Sequence, residues 1–426
     1  MGNAGRARVA IVYPRATFDT VPSLVNAAEL LARHELEVDV YTLVRAEGAP
    51  RFANPRIHVR SLGTEVTPRS AATALRSLVD RAGWVGRTVR RPLAHGYHAV
   101  RSATAPRGAA RPTTPPDRDG AREQTMCFIG VDPDGLELAH ELARGTAASL
   151  GYYSLELLLS SELVSEADRR TKRVEVELSR QAAFVVVQDA ARGRLLVDDN
   201  GLDERRLVLV PNAPLGPARR TPSDYWHRRF ELDSQRKVLL HAGSLGAWTG
   251  IDQVVASTST WPDDWALVVH TRYDASSSAY VHALQAKAVP GRVFWSLKPV
   301  ASEAYDALVD GADAALALYL RSEESVLTGQ NVETIGLSSG KLAYALRAGV
   351  PVIVNRSTSI ALLVEQEECG VLVDGPDGVG AVLPTIARHR QQLGERACAF
   401  FERHLRVEPA FEELVRRLPL GAMPAA

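Results

Sequence analysis

Short, unbroken apolar runs punctuate this chain, and segments with apolar residues every three to four positions separate them. Residues 9–13 (VAIVY) form the first run. A loop over 14–22 follows, then a stretch over 23–33 with Leu24, Ala28 and Leu31 on one face, then a second run over 38–44. Strand, loop, helix and strand at this spacing make a βαβ unit, because parallel strands need a crossover of about that length. Runs that do not alternate with polar residues belong to strands covered on both faces. The alternation returns at 126–131, with a helix over 136–142, apolar runs at 151–159 and 182–188, a helix over 190–198 and a last run at 207–210. Everything up to residue 214 therefore reads as one doubly wound domain.

Pro211-Asn-Ala-Pro214 ends that pattern, and the charged stretch 215–236 reads as a linker. At Lys237 the pattern restarts: a run over 238–242, a glycine-containing loop over 243–250 (GSLGAWTG), a helix over 251–257, and further runs at 265–271, 293–297, 312–319 and 371–373. Residues 237–392 thus predict a second domain of the same kind, and 393–426 two terminal helices crossing back to the first domain. The expected fold class is α/β: two Rossmann-like doubly wound parallel-sheet domains facing across a cleft, the default place for a ligand.

The 426 residues carry 50 basic and 50 acidic side chains, a balance that argues against general nucleic-acid binding. Arg6 and Arg8 precede only a short apolar run before Pro14, so no signal peptide is expected. No apolar stretch reaches the ~20 residues of a bilayer span. Cys127, Cys369 and Cys398 lie far apart without metal-ligand spacing. The expected location is cytoplasmic. One local asymmetry stands out: residues 69–122 hold eleven arginines against three aspartates. Residues 70–91 predict a helix with Leu75, Leu78, Val79 and Trp84. The rest of the insertion, to about 124, is rich in Pro, Gly and Thr and reads as a loop. Weak contact with an anionic membrane surface is one reading of this segment; a solvated insertion is the favoured one.

Residues 331–355 (NVETIGLSSGKLAYALRAGVPVIVN) concentrate the chemistry. Leu342, Ala345, Leu346 and Gly349 predict a helix starting at the serines, which are good N-caps. Gly349 and Pro351 end it. A small-residue loop delivering backbone N–H groups, Ser338, Ser339 and Lys341 to a helix N-terminus suits an anion, most simply a phosphate. A well-capped connection with a solvated Lys341 is equally compatible. Other polar residues sit at strand ends of the same half. Gly243 and Ser244 leave backbone open, Thr271 precedes Arg272, which can fork onto phosphate, and Glu333 can accept hydroxyls. In the first half, Asp19, Asp132 and Glu156 lie at strand ends and read either as turn residues or as ligands.

Taken together, residues 181–199 leading to Val210-Pro-Asn-Ala-Pro214, the loop 242–250, Glu333 through Lys341, and Ala348-Gly-Val-Pro-Val352 carry a resemblance. Most of residues 181–375 resembles the nucleotide-sugar-dependent glycosyltransferases of GT-B fold, in particular the retaining family 4 type; the first half resembles their acceptor domain in layout only. The resemblance implies that Gly243, Ser244, Ser338, Ser339 and Lys341 hold the diphosphate of a UDP- or GDP-sugar, with Thr271 and Arg272 beside them. It places Glu333 at the donor sugar and the loop after Leu297 at the base, and makes Glu333 and Lys341 the catalytic pair. Asp19, His98, Asp132 and Glu156 are the candidate acceptor contacts. Two departures matter: Lys341 stands where the family's second acid is usual, and the loop 244–249 lacks the family's cations, so Lys341 and Arg272 must balance the leaving diphosphate.

The implied activity is sugar transfer to an acceptor with retention and without a resident metal or cofactor, in glycan biosynthesis or secondary metabolism. A nucleotide-sugar 2-epimerase on the same architecture, with His241 and His270 at the cleft, is one alternative. A nucleotide-sugar-binding protein without catalysis is the other.

Overall fold

The computed structural model describes residues 7–45, 48–64 and 120–419. Most of the basic segment 69–122, including its expected helix and His98, lies outside the described residues. Seven strands form the first sheet: β1 (Arg8–Tyr13), β2 (Glu37–Val44), β3 (Ile57–Thr64), β4 (Thr125–Val131), β5 (Ser149–Tyr153), β6 (Phe184–Val187) and β7 (Leu207–Leu209). All neighbours pair in parallel, in the order β3-β2-β1-β4-β5-β6-β7. The second sheet holds β8 (Lys237–Ala242), β9 (Trp265–His270), β10 (Val293–Ser296), β11 (Ala314–Ala317), β12 (Val352–Asn355) and β13 (Gly370–Val373). It is parallel as well, ordered β10-β9-β8-β11-β12-β13. Two Rossmann-like domains are the result. In each, the strand order reverses beside the first strand, and ligands of such sheets bind outside the carboxyl ends near that reversal.

The central strands are the apolar runs of the sequence, and their side chains are almost all buried. Strand β3 differs. It is an edge strand whose residues are mostly half-exposed, and the sequence reading passes over it because His58 and Arg60 interrupt the apolar pattern. Arg60 Nε donates to Asp39 in the middle of β2 at 2.7 Å, and Arg8 holds the other carboxylate oxygen at 2.8 Å. This buried acid is neutralised from both flanking strands.

The stretch read as a linker contains a helix, Tyr225–Phe230. Its Trp226 is fully buried, stacks on Phe230 and donates Nε1–H to the Leu308 carbonyl at 2.6 Å, which ties it to the second domain. Helix Val379–Phe400 continues through the turn Phe401–Leu405 into Val407–Arg417, which packs on the N-terminal helix Pro22–Arg33. Glu402 and Glu408 accept the backbone N–H groups of Ala218 and Gly216, so the two chain crossings between domains are joined. No helix of the described residues is long and apolar enough to cross a membrane.

Candidate functional site

The carboxyl edges of the two sheets face each other, and the loops leaving them line one cleft. From the first domain come Thr20 to Ser23 after β1, Leu155 and Glu156 after β5, and Asn212. From the second come Gly243, Ser244 and Trp248 after β8, Arg272 after β9, Tyr319 after β11, and Ser338, Gly340 and Lys341. The empty space between these loops, open solvent at the mouth included, is about 1100 Å³.

Helix Gly340–Arg347 begins at the cleft, with Ser339 as N-cap accepting from the Leu342 N–H at 3.3 Å. The N–H groups of Gly340 and Lys341 in its first turn have no acceptor among the described residues, so this end carries partial positive charge into the cleft. Gly349 ends the helix with φ 64°, and Val350 N–H reaches back to the Ala345 carbonyl at 2.9 Å, the left-handed stop that its sequence predicts.

Lys341 lies over aromatic faces. Its ammonium is 4.1 Å from the Tyr319 ring centroid and 5.9 Å from that of Trp248, and it donates to the Leu318 carbonyl at 3.2 Å. Among the described residues it makes no ion pair. Burial without a compensating acid pushes its pKa down to about 7. Arg272 is exposed at the same cleft and likewise makes no ion pair among the described residues. Tyr305 and Tyr344 line the wall beside it, packed edge to face with centroids 4.8 Å apart. Two cations without carboxylates, next to a helix N-terminus, leave the cleft electrostatically prepared for an anion.

The opposite wall is held by hydrogen bonds that cross between domains. Arg192, fully buried in the first turn of helix Ala190–Asn200, donates to the Leu155 carbonyl at 2.9 Å and to Asn331 Oδ1 at 3.0 Å. Asp189 caps that helix and also accepts the Leu337 N–H at 2.9 Å. Gly336 has φ 42°, and a Cβ there would stand 2.0 Å from the Asp189 carboxylate. Only glycine allows this approach. Glu162 accepts the Gln330 N–H at 2.9 Å, and Asn212 Nδ2 donates to the Ser338 carbonyl at 3.0 Å.

Of the residues named from sequence, the structure brings Gly243, Ser244, Arg272, Ser338, Lys341 and Glu156 together around the cleft. It does not bring the others. Glu333 ends the short helix Gln330–Glu333, which turns Asn331 and Val332 to the cleft; Glu333 comes out on another face and pairs with Arg321 at 3.4 Å. Ser339 is buried as the cap and bonds the Tyr319 hydroxyl. Thr271 is buried, with its hydroxyl on the Tyr273 carbonyl. Leu297 is half-buried away from the cleft and accepts the Ala275 N–H at 2.8 Å. Asp19 is exposed and paired with Arg45.

Asp132 is buried, with φ 55°, and Arg15 bonds it at 3.4 Å and Asp134 at 2.9 Å. Asp132-Pro-Asp134 is an Asp-x-Asp run that the metal-free expectation passes over, and Arg15 occupies it. Burial raises the Asp132 pKa to about 6, against the pull of Arg15. Its Oδ1 accepts the N–H groups of Leu155 and Glu156 at 3.0 and 3.1 Å, so it supports the loop that presents Glu156. His241 and His270 are buried beneath the second domain's loops, and burial lowers their pKa values to about 3 and about 4. Neither lines the cleft.

By sequence, the chain matches no family model and no curated protein. By structure it has several whole-length likenesses. Sucrose-phosphate synthase from Thermosynechococcus elongatus superposes with a TM-score of 0.67 at 15% identity, covering 97% of this chain and 99% of that one. Anabaena HepE in complex with UDP-glucose gives 0.65 at 13% identity, covering 96% and 99%. A glycosyltransferase from Rickettsia africae gives 0.63 at 8% identity, covering 96% and 97%. At these identities the likeness establishes the fold, the GT-B arrangement of two Rossmann-like domains across a cleft.

Proposed function

We propose that the chain transfers a sugar from a nucleoside-diphosphate sugar to an acceptor seated against the N-terminal domain. The observation that carries this reading is the pair of cations without carboxylate partners, Lys341 and Arg272, beside the open N–H groups of Gly340 and Lys341. Structural neighbours with the same fold give it a second support, HepE being in complex with UDP-glucose.

In this mechanism the diphosphate lies between Gly243-Ser244 and the start of helix Gly340–Arg347. As the bond from sugar to phosphate breaks, positive charge builds on the ring and negative charge on the leaving diphosphate. The fixed N–H groups, the helix dipole, Lys341 and Arg272 stabilise the latter. If Lys341 is neutral before, the negative charge of the arriving dianion raises its pKa and the amine takes a proton from solvent, so the cation forms where it is used. The leaving phosphate can take the acceptor proton as the new bond forms on the same face, which accounts for retention without a protein base. Transfer proceeds without a resident metal, since these groups cover the charge. Tyr305 and Tyr344 offer flat faces beside Arg272 for the remainder of the nucleotide.

An epimerase would need convergent acids and histidines; among the described residues Glu156 is the acid lining the cleft, and both histidines are buried beneath the loops and do not line it. The test is a panel of UDP-glucose, UDP-galactose, UDP-N-acetylglucosamine and GDP-mannose, scored for nucleoside diphosphate release. Release with intact sugar freed or transferred supports the reading, an epimerised sugar supports the alternative, and nucleotide binding without turnover supports a non-catalytic role.

A further inference from the structure

Asn331 faces the cleft from the second domain, yet most of its partners belong to the first. Its Oδ1 accepts the Leu157 N–H at 2.9 Å and an Arg192 N–H at 3.0 Å. Its Nδ2 donates to Glu156 Oε2 at 2.7 Å and to the Leu327 carbonyl at 3.0 Å. A carboxamide has two donor hydrogens and two lone pairs, and all four are used, so the group has one orientation. The loop that receives it is fixed from behind. Asp132 holds the N–H groups of Leu155 and Glu156, and Gln188 Nε2 holds the Ser154 carbonyl at 2.8 Å.

Resting on the transfer reading above, we propose that Asn331 is a positioning residue: by docking on the first domain it aims the Glu156 carboxylate at the acceptor. Glu156 then accepts a hydrogen bond from a hydroxyl beside the reacting one, or from the second hydrogen of a water, while the reacting proton goes to the leaving phosphate; the acceptor is a polyol or sugar presenting both hydroxyls to the cleft. Asn331 sits two residues before Glu333 and ten before Lys341, on the loop leading to the diphosphate site. The one loop therefore contributes both to the wall that carries Glu156 and to the wall that carries Lys341.

The experiment measures nucleoside diphosphate release from the donor that the panel identifies, with water as the acceptor hydroxyl, in the full chain. The variants are Asn331→Ala, Asn331→Asp, Glu156→Ala and the double variant Asn331→Ala with Glu156→Ala. Asn331→Asp keeps the shape but cannot donate, and it adds charge beside Glu156. Asn331→Ala and Asn331→Asp are expected to lower kcat roughly ten- to a hundredfold with donor KM within about twofold. In the Glu156→Ala background, adding Asn331→Ala costs less than about twofold, because it acts through a group already gone. In Asn331→Asp a second carboxylate favours the protonated form of Glu156, so the acidic limb of the kcat profile moves to higher pH. Multiplicative losses in the double variant, or an acidic limb that does not move while the melting temperature falls, would overturn the inference and leave the transfer reading intact. A wild-type chain that releases nothing from any donor overturns the transfer reading itself.

Discussion

Two lysines, one buried and one half-buried, sit in this molecule under opposite conditions. Lys172, in helix Glu166–Ser179 of the first domain, is 3% exposed and reaches Glu175 at 3.0 Å, Asp199, Asn200 and the Leu158 carbonyl each at 2.6 Å. Glu175 in turn accepts the Tyr152 hydroxyl at 2.6 Å, and Asn200 donates to Ser179 at 3.1 Å. That charge is neutralised where it stands, and the network is part of the architecture. Lys341 has one carbonyl, two aromatic faces and, among the described residues, no acid. A buried charge costs several kcal/mol unless it is paired. The first lysine has its partners inside the fold. The second faces the cleft without one, and on the proposed function its partner is the incoming diphosphate.

The comparison breaks most visibly at Lys172. Lys172→Met leaves Glu175 and Asp199 without their cation and is expected to cost on the order of 3–5 kcal/mol in urea unfolding. Lys341→Met removes a charge with no acid to abandon, so the chain without nucleotide keeps or gains thermal stability. The same variant binds UDP at least roughly tenfold more weakly, as calorimetry would read it. Arg272→Ala weakens UDP about fivefold and flattens the salt dependence, the smaller figure reflecting an exposed cation in high dielectric. Glu333→Gln changes UDP affinity less than about twofold, since its exposed pair with Arg321 lies off the cleft. Equal losses at Glu333 and Lys341 would mean that the loop rearranges on binding.

Much of the layout was legible because parallel strands buried on both faces leave short apolar runs, although the run 151–159 continues past its strand, Ser149–Tyr153, into a buried loop. Helix Gly340–Arg347 was legible for a similar reason, its cap, apolar face and stop all being local. Helix Glu166–Ser179 was not read, since its hidden face is made of Lys172, Glu175 and Ser179 with a single leucine, Leu178. Its capping box, Ser165 with Asp168, was the signal that would have found it. The family resemblance put the acid at position 333 in the site; the turn of Gln330–Glu333 instead presents Asn331, and a shift of two residues is 200° around a helix. Arg192 and Asn331 lie 139 positions apart, and no periodicity reports a bond across a cleft. Glu156 came out of the strand-end rule, but its neighbour Asp132, found by the same rule, supports it from beneath.

The account turns on the protonation of Lys341. With a pKa of about 7 in the free chain, its amine loses its proton as pH rises above that value, and a bound diphosphate draws the proton back. The terminal phosphate of UDP, with a second pKa of about 6, is about nine-tenths ionised at pH 7 and completes its ionisation by pH 8, a small change beside that of the amine. UDP binding to the wild-type chain should then weaken by up to about tenfold per pH unit and take up a proton. The most direct measurement is calorimetric titration of UDP at pH 7 and pH 9, in buffers of different ionisation enthalpy, for the wild-type chain and Lys341→Arg. The expected result is weakening with proton uptake in the wild type and a flat profile in Lys341→Arg, whose guanidinium stays charged. An affinity that is the same at both pH values in the wild type, without proton uptake, would contradict the assignment of Lys341 as the cation that meets the diphosphate.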